Sequence, residues 1–461
     1  MVAFLAGCGS DVSIGPGEPK EDSEVDVGVT AGSRLRPVMA VADGVAAFMT
    51  WRDTELGVDC RFRRMVDGVR RCIPVWPSVV FTDAACTKAA FIESPCRSGY
   101  EFAGLRYQPE GLDCDINQQD ASPTPFRRVA ASVGATSYHQ AYTTDAGLQC
   151  APEATPLADG EVLVAAEQVP LDTFVAAERV VIPGSSGLGR AEWHAEDGAR
   201  EVLTAVDLTY DAECVEFDWA TPGRCLPTLV SGPRYDQFAD QDCTGATAYS
   251  RCGEQLAMER DECSLRVFEV GEALEGYYTD DQACTFQPGS GVHRLGIELS
   301  IESMPRLTTA TFGPARLKAR YLTDSAGWRV ATASQPLFDS ELGDPCVPAR
   351  ASDGSTHCTP AETLHAINRF SDAQCTQRVH VQKKAQCFSW GWLGWYDPAV
   401  PFCQQDVTSF EILDVTTAST YYERAPDGAC IVAPIDDDEI AYELGPPRTV
   451  DSFPKVQIEV W

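Results

Sequence analysis

No two cysteines in this chain stand as a C-x-x-C pair, although there are nineteen of them in 461 residues. Structural zinc sites favour such close pairs, so their absence turns the cysteines toward disulfides and an oxidising compartment. Lysine is scarce: of 36 basic residues six are Lys, leaving thirty Arg. Asparagine occurs only as Asn117 and Asn368, and neither opens an N-x-S/T acceptor. With abundant Ala and Asp, this composition reads as that of a GC-rich bacterium rather than a glycosylated eukaryotic secreted chain. No window holds eighteen consecutive apolar residues, so no transmembrane helix is expected. Positive charge is short as well, with 68 acidic residues giving a net charge of −32. Such a field repels phosphate backbones and anionic head groups, so nucleic acid is not an expected partner. The sequence has no H-E-x-x-H, no G-x-S-x-G and no Walker motif, which removes the specific signatures of zincins, serine hydrolases and P-loop enzymes. The six histidines, His139, His194, His293, His357, His365 and His380, are scattered, with no pair at metal-ligand spacing on a recognisable helix.

What is present is a threefold repeat. Phe-x-Asp-x-x-Cys-Thr occurs as Phe81–Thr87, Phe238–Thr244 and Phe370–Thr376, each time third in a run of six cysteines. The runs are Cys60, Cys72, Cys86, Cys96, Cys114 and Cys150; Cys214, Cys225, Cys243, Cys252, Cys263 and Cys284; and Cys346, Cys358, Cys375, Cys387, Cys403 and Cys430. Each run opens with Asp-x6-Cys, from Asp53, Asp207 and Asp339, and continues with a turn before Cys-x-Pro. In the first and third copies the opening reads Asp-x-Glu-Leu-Gly-x-x-Cys; the second loses Glu-Leu-Gly before Cys214. Agreement of residue type, order and spacing across three copies is the mark of internal duplication. The copies run over 31–179, 180–312 and 313–461, after a start at 1–8 and an acidic, polar tether at 9–30 that has little to bury.

Within each copy the pattern is β. Apolar runs such as Val45–Trp51, Glu201–Val206 and Gly327–Ala333 are bounded by Asp-Gly or other glycine turns, and no amphipathic helix longer than three turns is apparent. The expected class is all-β: a disulfide-stapled, propeller-like ring made from the three copies, with three tandem β-sandwich or barrel modules as the alternative. Six cysteines allow fifteen pairings per copy. Hairpin proximity favours neighbours, which gives Cys60–Cys72, Cys86–Cys96 and Cys114–Cys150 and their equivalents. Gly184–Gly189 lacks the G-x-G-x-x-G spacing and reads as a linker.

Three features carry candidate chemistry. Asp83, Asp240 and Asp372, one per copy, suit calcium as a cofactor or, more simply, turn caps; the EF-hand pattern is absent. Asp436–Glu439 is a denser acidic run that a solvated loop explains equally well. Trp390, Trp392, Trp395 and Tyr396 belong to the third copy alone. Exposed, such rings stack on sugars or anchor partner proteins; buried, they form a core ladder. No catalytic residue is identified.

The nineteenth cysteine, Cys8, ends Leu5-Ala6-Gly7-Cys8, which resembles a bacterial lipobox; the preceding residues are too few for a signal peptide, as a start placed downstream of the true one explains. Together with the acidic tether and the repeated Phe-x-Asp-x-x-Cys-Thr and Cys-x-Pro phrases, this resembles uncharacterised cysteine-rich lipoproteins of myxobacteria. The resemblance covers residues 8–461 and implies a lipid-anchored cell-envelope protein without implying an activity. The expectation is a scaffold that binds protein or glycan, touching membrane only through its anchor, with a polysaccharide hydrolase or a purely structural envelope component as alternatives.

Overall fold

The computed structural model describes residues 28–461 apart from 66, 75–76, 95–97, 106–123, 145–146, 152, 185–186, 216–222, 228–232, 251–254, 262–263, 280–283, 325–328, 332–336, 352, 361–368, 385–390, 396–407, 417 and 426–427. Among the described residues the chain is built of antiparallel strands, with no α-helix and only short 3-10 turns. The first hairpin shows how the local sequence sets this up. Leu35–Ala42 and Val45–Asp53 pair from Ala42↔Val45 to Leu35↔Asp53, joined by Asp43-Gly44 alone. Both turn residues have positive φ, 53° and 79°, as in the type I′ turn whose twist matches that of the flanking strands. Gly adopts this conformation without a Cβ clash, and Asp tolerates it better than most residues.

Each copy contributes a four-stranded meander. In the first, Leu35–Ala42, Val45–Asp53, Val58–Arg64 and Arg70–Pro74 pair in chain order. Leu188–Ala195, Arg200–Asp207, Ala212–Val215 and Leu226–Pro227 repeat the order in the second. Leu317–Thr323, Leu337–Asp339, Asp344–Arg350 and Thr356–Pro360 repeat it in the third. Three strands join the meanders, each following a 3-10 turn. Ala176–Pro183 follows Leu171–Thr173 and lies between Arg70–Pro74 and Leu188–Ala195. Thr308–Phe312 follows Ile301–Ser303 and pairs with Leu317–Thr323. The residues before it meet the end of the second meander, through Cys225 N to Pro305 O and Leu307 N to Gly223 O, both 3.0 Å. Lys455–Val460 follows Val450–Ser452 and lies between Thr356–Pro360 and Leu35–Ala42. The last strand of the chain thus stands beside the first strand of the first copy, and the ladder returns to its start. Gly184 and Gly187 belong to the turn between Ala176–Pro183 and Leu188–Ala195. Gly184–Gly189 is therefore a hairpin connection rather than a linker, because backbone pairing continues on both sides of it.

The buried side chains follow the same circuit. One cluster joins Ala40, Val45 and Ala47 of the first copy to Leu317, Tyr321, Leu337, Cys346 and Cys358 of the third, with Val456 from the closing strand. A second joins Leu188, Ala205, Cys214 and Cys225 to Leu307, Leu322 and Val330, and a third joins Leu35, Trp51, Cys60 and Cys72 to Val175 and Ala199. Each of these clusters straddles a junction between copies, so this apolar burial holds neighbours together, while other clusters, such as that of Val79, Phe81, Phe91 and Val164, lie within one copy.

After Cys-x-Pro each copy leaves the meander to build further sheet. In the first copy it contains Val79–Phe81, Ala89–Glu93, Val162–Gln168, Thr124–Val133 and Phe102–Leu105. In the second it contains Pro233–Phe238, Ala246–Tyr249, Thr285–Leu299, Ser264–Thr279 and Leu256–Asp261. In the third the strands divide between two sheets, one with Arg369–Phe370, Thr420–Arg424 and Cys430–Pro434, the other with Val379–Lys383, Glu439–Leu444, Thr408–Val415 and Trp392–Trp395.

Disulfides staple both layers. In the meanders the first and second cysteines of each run pair as expected: Cys60–Cys72, Cys214–Cys225 and Cys346–Cys358. In the further sheets the third pairs with the sixth, giving Cys86–Cys150, Cys243–Cys284 and Cys375–Cys430. This corrects the expected Cys86–Cys96 and Cys114–Cys150, with Cys243–Cys252, Cys263–Cys284, Cys375–Cys387 and Cys403–Cys430. The reason is tertiary: Phe81 forms a backbone bridge to His139, which brings the Cys86 turn to the hairpin ending in Cys150, far away in sequence. Cys8, Cys96, Cys114, Cys252, Cys263, Cys387 and Cys403 lie outside the described residues. Cα separations of 4.8 to 6.1 Å suit these bridges, and such a set points to an extracellular or envelope location. Among the described residues no helix is long and apolar enough to cross a membrane.

Candidate functional site

The Phe-x-Asp-x-x-Cys-Thr phrase forms a turn built the same way three times. Cys86, Cys243 and Cys375 have φ of 50°, 51° and 52°, a conformation that a non-glycine residue holds only when its surroundings impose it. The aspartate imposes it from both sides. Its carbonyl accepts the cysteine N–H. Its carboxylate accepts Thr87 N at 3.0 Å, Thr87 Oγ1 at 2.5 Å and Lys88 N at 2.8 Å in the first copy. Asp240 and Asp372 bind their threonine and the following N–H likewise. These bonds favour the ionised form and hold all three carboxyls below the usual range, chiefly through the Thr87 hydroxyl, the Thr244 N–H and the Gln377 N–H. Sequence thus singled out the right residues, and their geometry is that of turn caps. Among the described residues no group of three His, Cys, Asp or Glu is arranged to hold a metal ion.

The aromatic run is partly visible. Trp392 is buried, edge-on to Phe453 with ring centroids 5.9 Å apart and the Arg448 guanidinium over its face at 5.1 Å. Its ring is core rather than an open stacking platform, because its strand lies against the 3-10 turn that precedes the closing strand. Trp390 and Tyr396 lie outside the described residues, and Trp395 is described only as backbone of the same strand. In the acidic run Asp438 accepts Lys383 Nζ at 2.6 Å and Asp437 O accepts Lys384 Nζ at 2.7 Å, so two of the rare lysines are used there. The described histidines all find hydrogen-bond partners within the chain; His357 is buried between Ser355 Oγ and the Phe453 carbonyl, at 2.8 and 2.7 Å.

The constellation that distinguishes one copy from another lies at the end of the second meander strand, on the aspartate of Asp-x6-Cys. Register makes the three sites equivalent: Leu35↔Asp53, Leu188↔Asp207 and Leu317↔Asp339 are opposed pairs. All three aspartates are fully buried, so each carboxylate needs partners to offset lost hydration. Oδ1 caps the following turn each time, accepting Glu55 N at 3.0 Å, Thr209 N at 2.8 Å and Glu341 N at 3.0 Å. The other oxygen separates the copies. In the first, the residue before the opposed leucine is Arg34, which grips Asp53 through Nε–Oδ1 at 2.8 Å and Nη2–Oδ2 at 2.7 Å. Arg34 also reaches the Thr173 carbonyl at 2.7 Å and Glu55 at 3.2 Å. In the third, Arg316 holds Asp339 at 2.9 and 2.7 Å and Glu341 at 2.9 Å. The Asp hydrogen bonds raise both guanidinium pKa values above their ordinary range.

The second copy keeps only the aspartate. Gly187 stands where the arginine stands elsewhere, Thr209 replaces the glutamate, and Tyr210 replaces Leu56 and Leu342. Oδ2 of Asp207 has no hydrogen-bond partner. The loss of Glu-Leu-Gly before Cys214 is the visible half of this change. The missing arginine was not legible, because it lies about twenty residues away and becomes a neighbour only through strand register.

No curated protein and no solved structure matches the chain. A family model matches residues 20–453, a range that holds all three cysteine runs: the chain belongs to the family of unknown function DUF7481.

Proposed function

We propose that the chain is an exported, envelope-anchored scaffold whose three copies close into one disulfide-stapled ring that binds a partner protein or glycan. One observation carries the reading, the occupation of the repeated carboxylates. Asp83, Asp240 and Asp372 close turns, and Asp53 and Asp339 hold arginines, so the acids repeated between copies maintain the scaffold. Recognition then falls to what the copies do not share. The continuous ladder from copy to copy supports a ring of joined meanders over a propeller, whose blades are separate sheets. The lipobox Leu5–Cys8 and the acidic stretch 9–30 support an anchor and tether, and acyl chains on Cys8 would partition at about 0.8 kcal/mol per buried methylene.

Expression with the native upstream region, followed by detergent phase partition and glycan binding, tests this. The full chain should enter the detergent phase and Cys8→Ala should leave it. A polysaccharide should be retained without release of reducing ends. Reducing-end release would favour the hydrolase instead, and an aqueous-phase wild type would remove the anchor.

A further inference from the structure

In the third copy a hairpin pairs Thr420–Arg424 with Cys430–Pro434, from Thr420↔Pro434 to Arg424↔Cys430. Bonds from Ala425 N to Ala429 O and from Ile435 N to Ser419 O, at 2.8 and 3.0 Å, flank this ladder and fix its phase. Bonded and unbonded residues alternate along an antiparallel pair, so Ile431 and Ala433 bond to Glu423 and Tyr421, while Cys430, Val432 and Pro434 turn their backbone groups the other way. On that outer side no described strand pairs with Cys430–Pro434. The N–H groups of Cys430 and Val432 and the carbonyls of Cys430, Val432 and Pro434 thus form an open edge, which ends at Pro434 for want of an N–H.

The side chains on this edge are exposed as well. Ile431 is 57% and Val432 56% exposed, and among the described residues no other two consecutive large apolar side chains are exposed. They point to opposite faces of the strand. The row that begins at Ile431 continues through Ala433 and Ile435 into the cluster of Val379, Val381, Tyr421 and Ala441, so a strand laid along the edge would extend that cluster over Ile431. Counted from the sixth cysteine, the other copies carry Ala151-Pro152 and Thr285-Phe286 at these positions. The aliphatic pair belongs to the third copy alone, and no need shared by the three scaffolds explains it. Charge selects the occupant. The edge runs into Asp436, Asp437 and Asp438, all exposed; Asp438 gives its carboxylate to Lys383, and among the described residues the other two have no cation on theirs. A second copy would bring a net charge of −32 against its equal, which opposes self-pairing and draws in a basic segment instead.

We infer that Cys430–Pro434 is a docking edge on which an extended, basic segment of another protein adds as an antiparallel strand, its positive residues over Asp436 and Asp437. Main-chain bonds join the segment to Cys430 and Val432, and its apolar side chains cover Ile431 and Val432. The disulfide Cys375–Cys430 pins one end of the edge before the partner arrives. The inference rests on the partner-protein form of the function proposed above. It is read on purified chain, so a failed anchor or glycan assay leaves it standing, and its own failure leaves the anchor standing.

Fluorescence anisotropy of the full oxidised chain with a labelled peptide Lys-Arg-Val-Thr-Val-Thr-Val makes the test, with Glu-Glu-Val-Thr-Val-Thr-Val and Lys-Arg-Val-Pro-Val-Pro-Val as comparisons. The basic, proline-free peptide should bind about tenfold or more tightly than either. Val432→Pro should abolish binding, because the N–H it removes faces away from Thr420–Arg424 and the hairpin keeps its own bonds. Asp436→Asn/Asp437→Asn should weaken binding by about three- to tenfold and flatten its salt dependence, which keeps the test decisive if Val432→Pro does not fold. In hydrogen exchange the Val432 amide should be unprotected in the free chain and slowed by about tenfold or more at saturating peptide. Absence of wild-type binding, full binding in Val432→Pro, or equal affinity for the acidic peptide would each overturn the inference. A dimer in sedimentation that Val432→Pro dissociates would assign the edge to a second copy and overturn the basic partner.

Discussion

Arg34→Ala probes the strand-end pairs most directly. The variant leaves Asp53 fully buried, with Oδ1 still accepting Glu55 N at 3.0 Å and Leu56 N at 3.1 Å, but with nothing on Oδ2. Removing one partner of a buried ion pair costs about 3–5 kcal/mol because the remaining charge is uncompensated. The Arg34 side chain is 18% exposed, and water reaching the gap reduces the penalty, so about 2–4 kcal/mol is the expected loss. Arg316→Ala, at 28% exposure beside a fully buried Asp339, should fall at the lower end of that range. Adding Asp53→Asn to Arg34→Ala should recover about 1–2 kcal/mol, since the charge goes and an acceptor for the turn remains. Asp207→Asn alone should lie within about 0.5 kcal/mol of the parent or above it, because no ion pair is lost. Urea unfolding followed by tryptophan fluorescence, with disulfides kept oxidised, reads all four; Trp51 reports on the junction of the first and second copies. An Arg34→Ala midpoint equal to that of the parent, or an Asp207→Asn loss as large as that of Arg34→Ala, would refute the reasoning.

Three further outcomes are expected. Non-reducing peptide mapping should recover Cys86 linked to Cys150, and Cys86→Ser/Cys150→Ser should cost about 4 kcal/mol for a separation of 64 residues, against about 3 kcal/mol for Cys60→Ser/Cys72→Ser across 12; a Cys86–Cys96 peptide would contradict the fold. Glu201 accepts Trp51 Nε1 at 2.7 Å across the same junction, and burial pushes its carboxyl up to about 7, against the pull of Trp51 and Arg61. A raised acid favours the protonated folded state, so its contribution is present below about pH 4.5 and is lost as pH rises toward 7; Glu201→Gln should therefore gain about 1–3 kcal/mol at pH 8 and nothing at pH 4 in denaturant titrations. Asp211 has φ of 48° where the other copies place Gly57 and Gly343 at 69° and 71°, so Asp211→Gly should stabilise by about 0.5–1 kcal/mol in the same assay, and a loss would show that the Asp side chain contributes more than its strain.

Much of this molecule was written in local pattern. Repeat number, β class, the hairpin at Asp43-Gly44 and the three short disulfides follow from residues within about a dozen positions of one another, where turn chemistry and alternation act directly. The capping aspartates were likewise identifiable, because their donors lie four and five residues downstream in the same phrase. Other features depend on where distant strands come to rest. Cys86 meets Cys150 only because the Phe81–His139 bridge folds one hairpin onto another. Trp392 is buried because its strand packs against the turn carrying Phe453. Closure of the ladder by Lys455–Val460 against Leu35–Ala42, and the choice between Arg34, Gly187 and Arg316 as neighbours of the buried aspartates, are matters of register across long sequence separations. Local propensity cannot encode register on its own: it is set when the apolar faces of two copies are buried together, and the pairing of charge with charge follows from that burial.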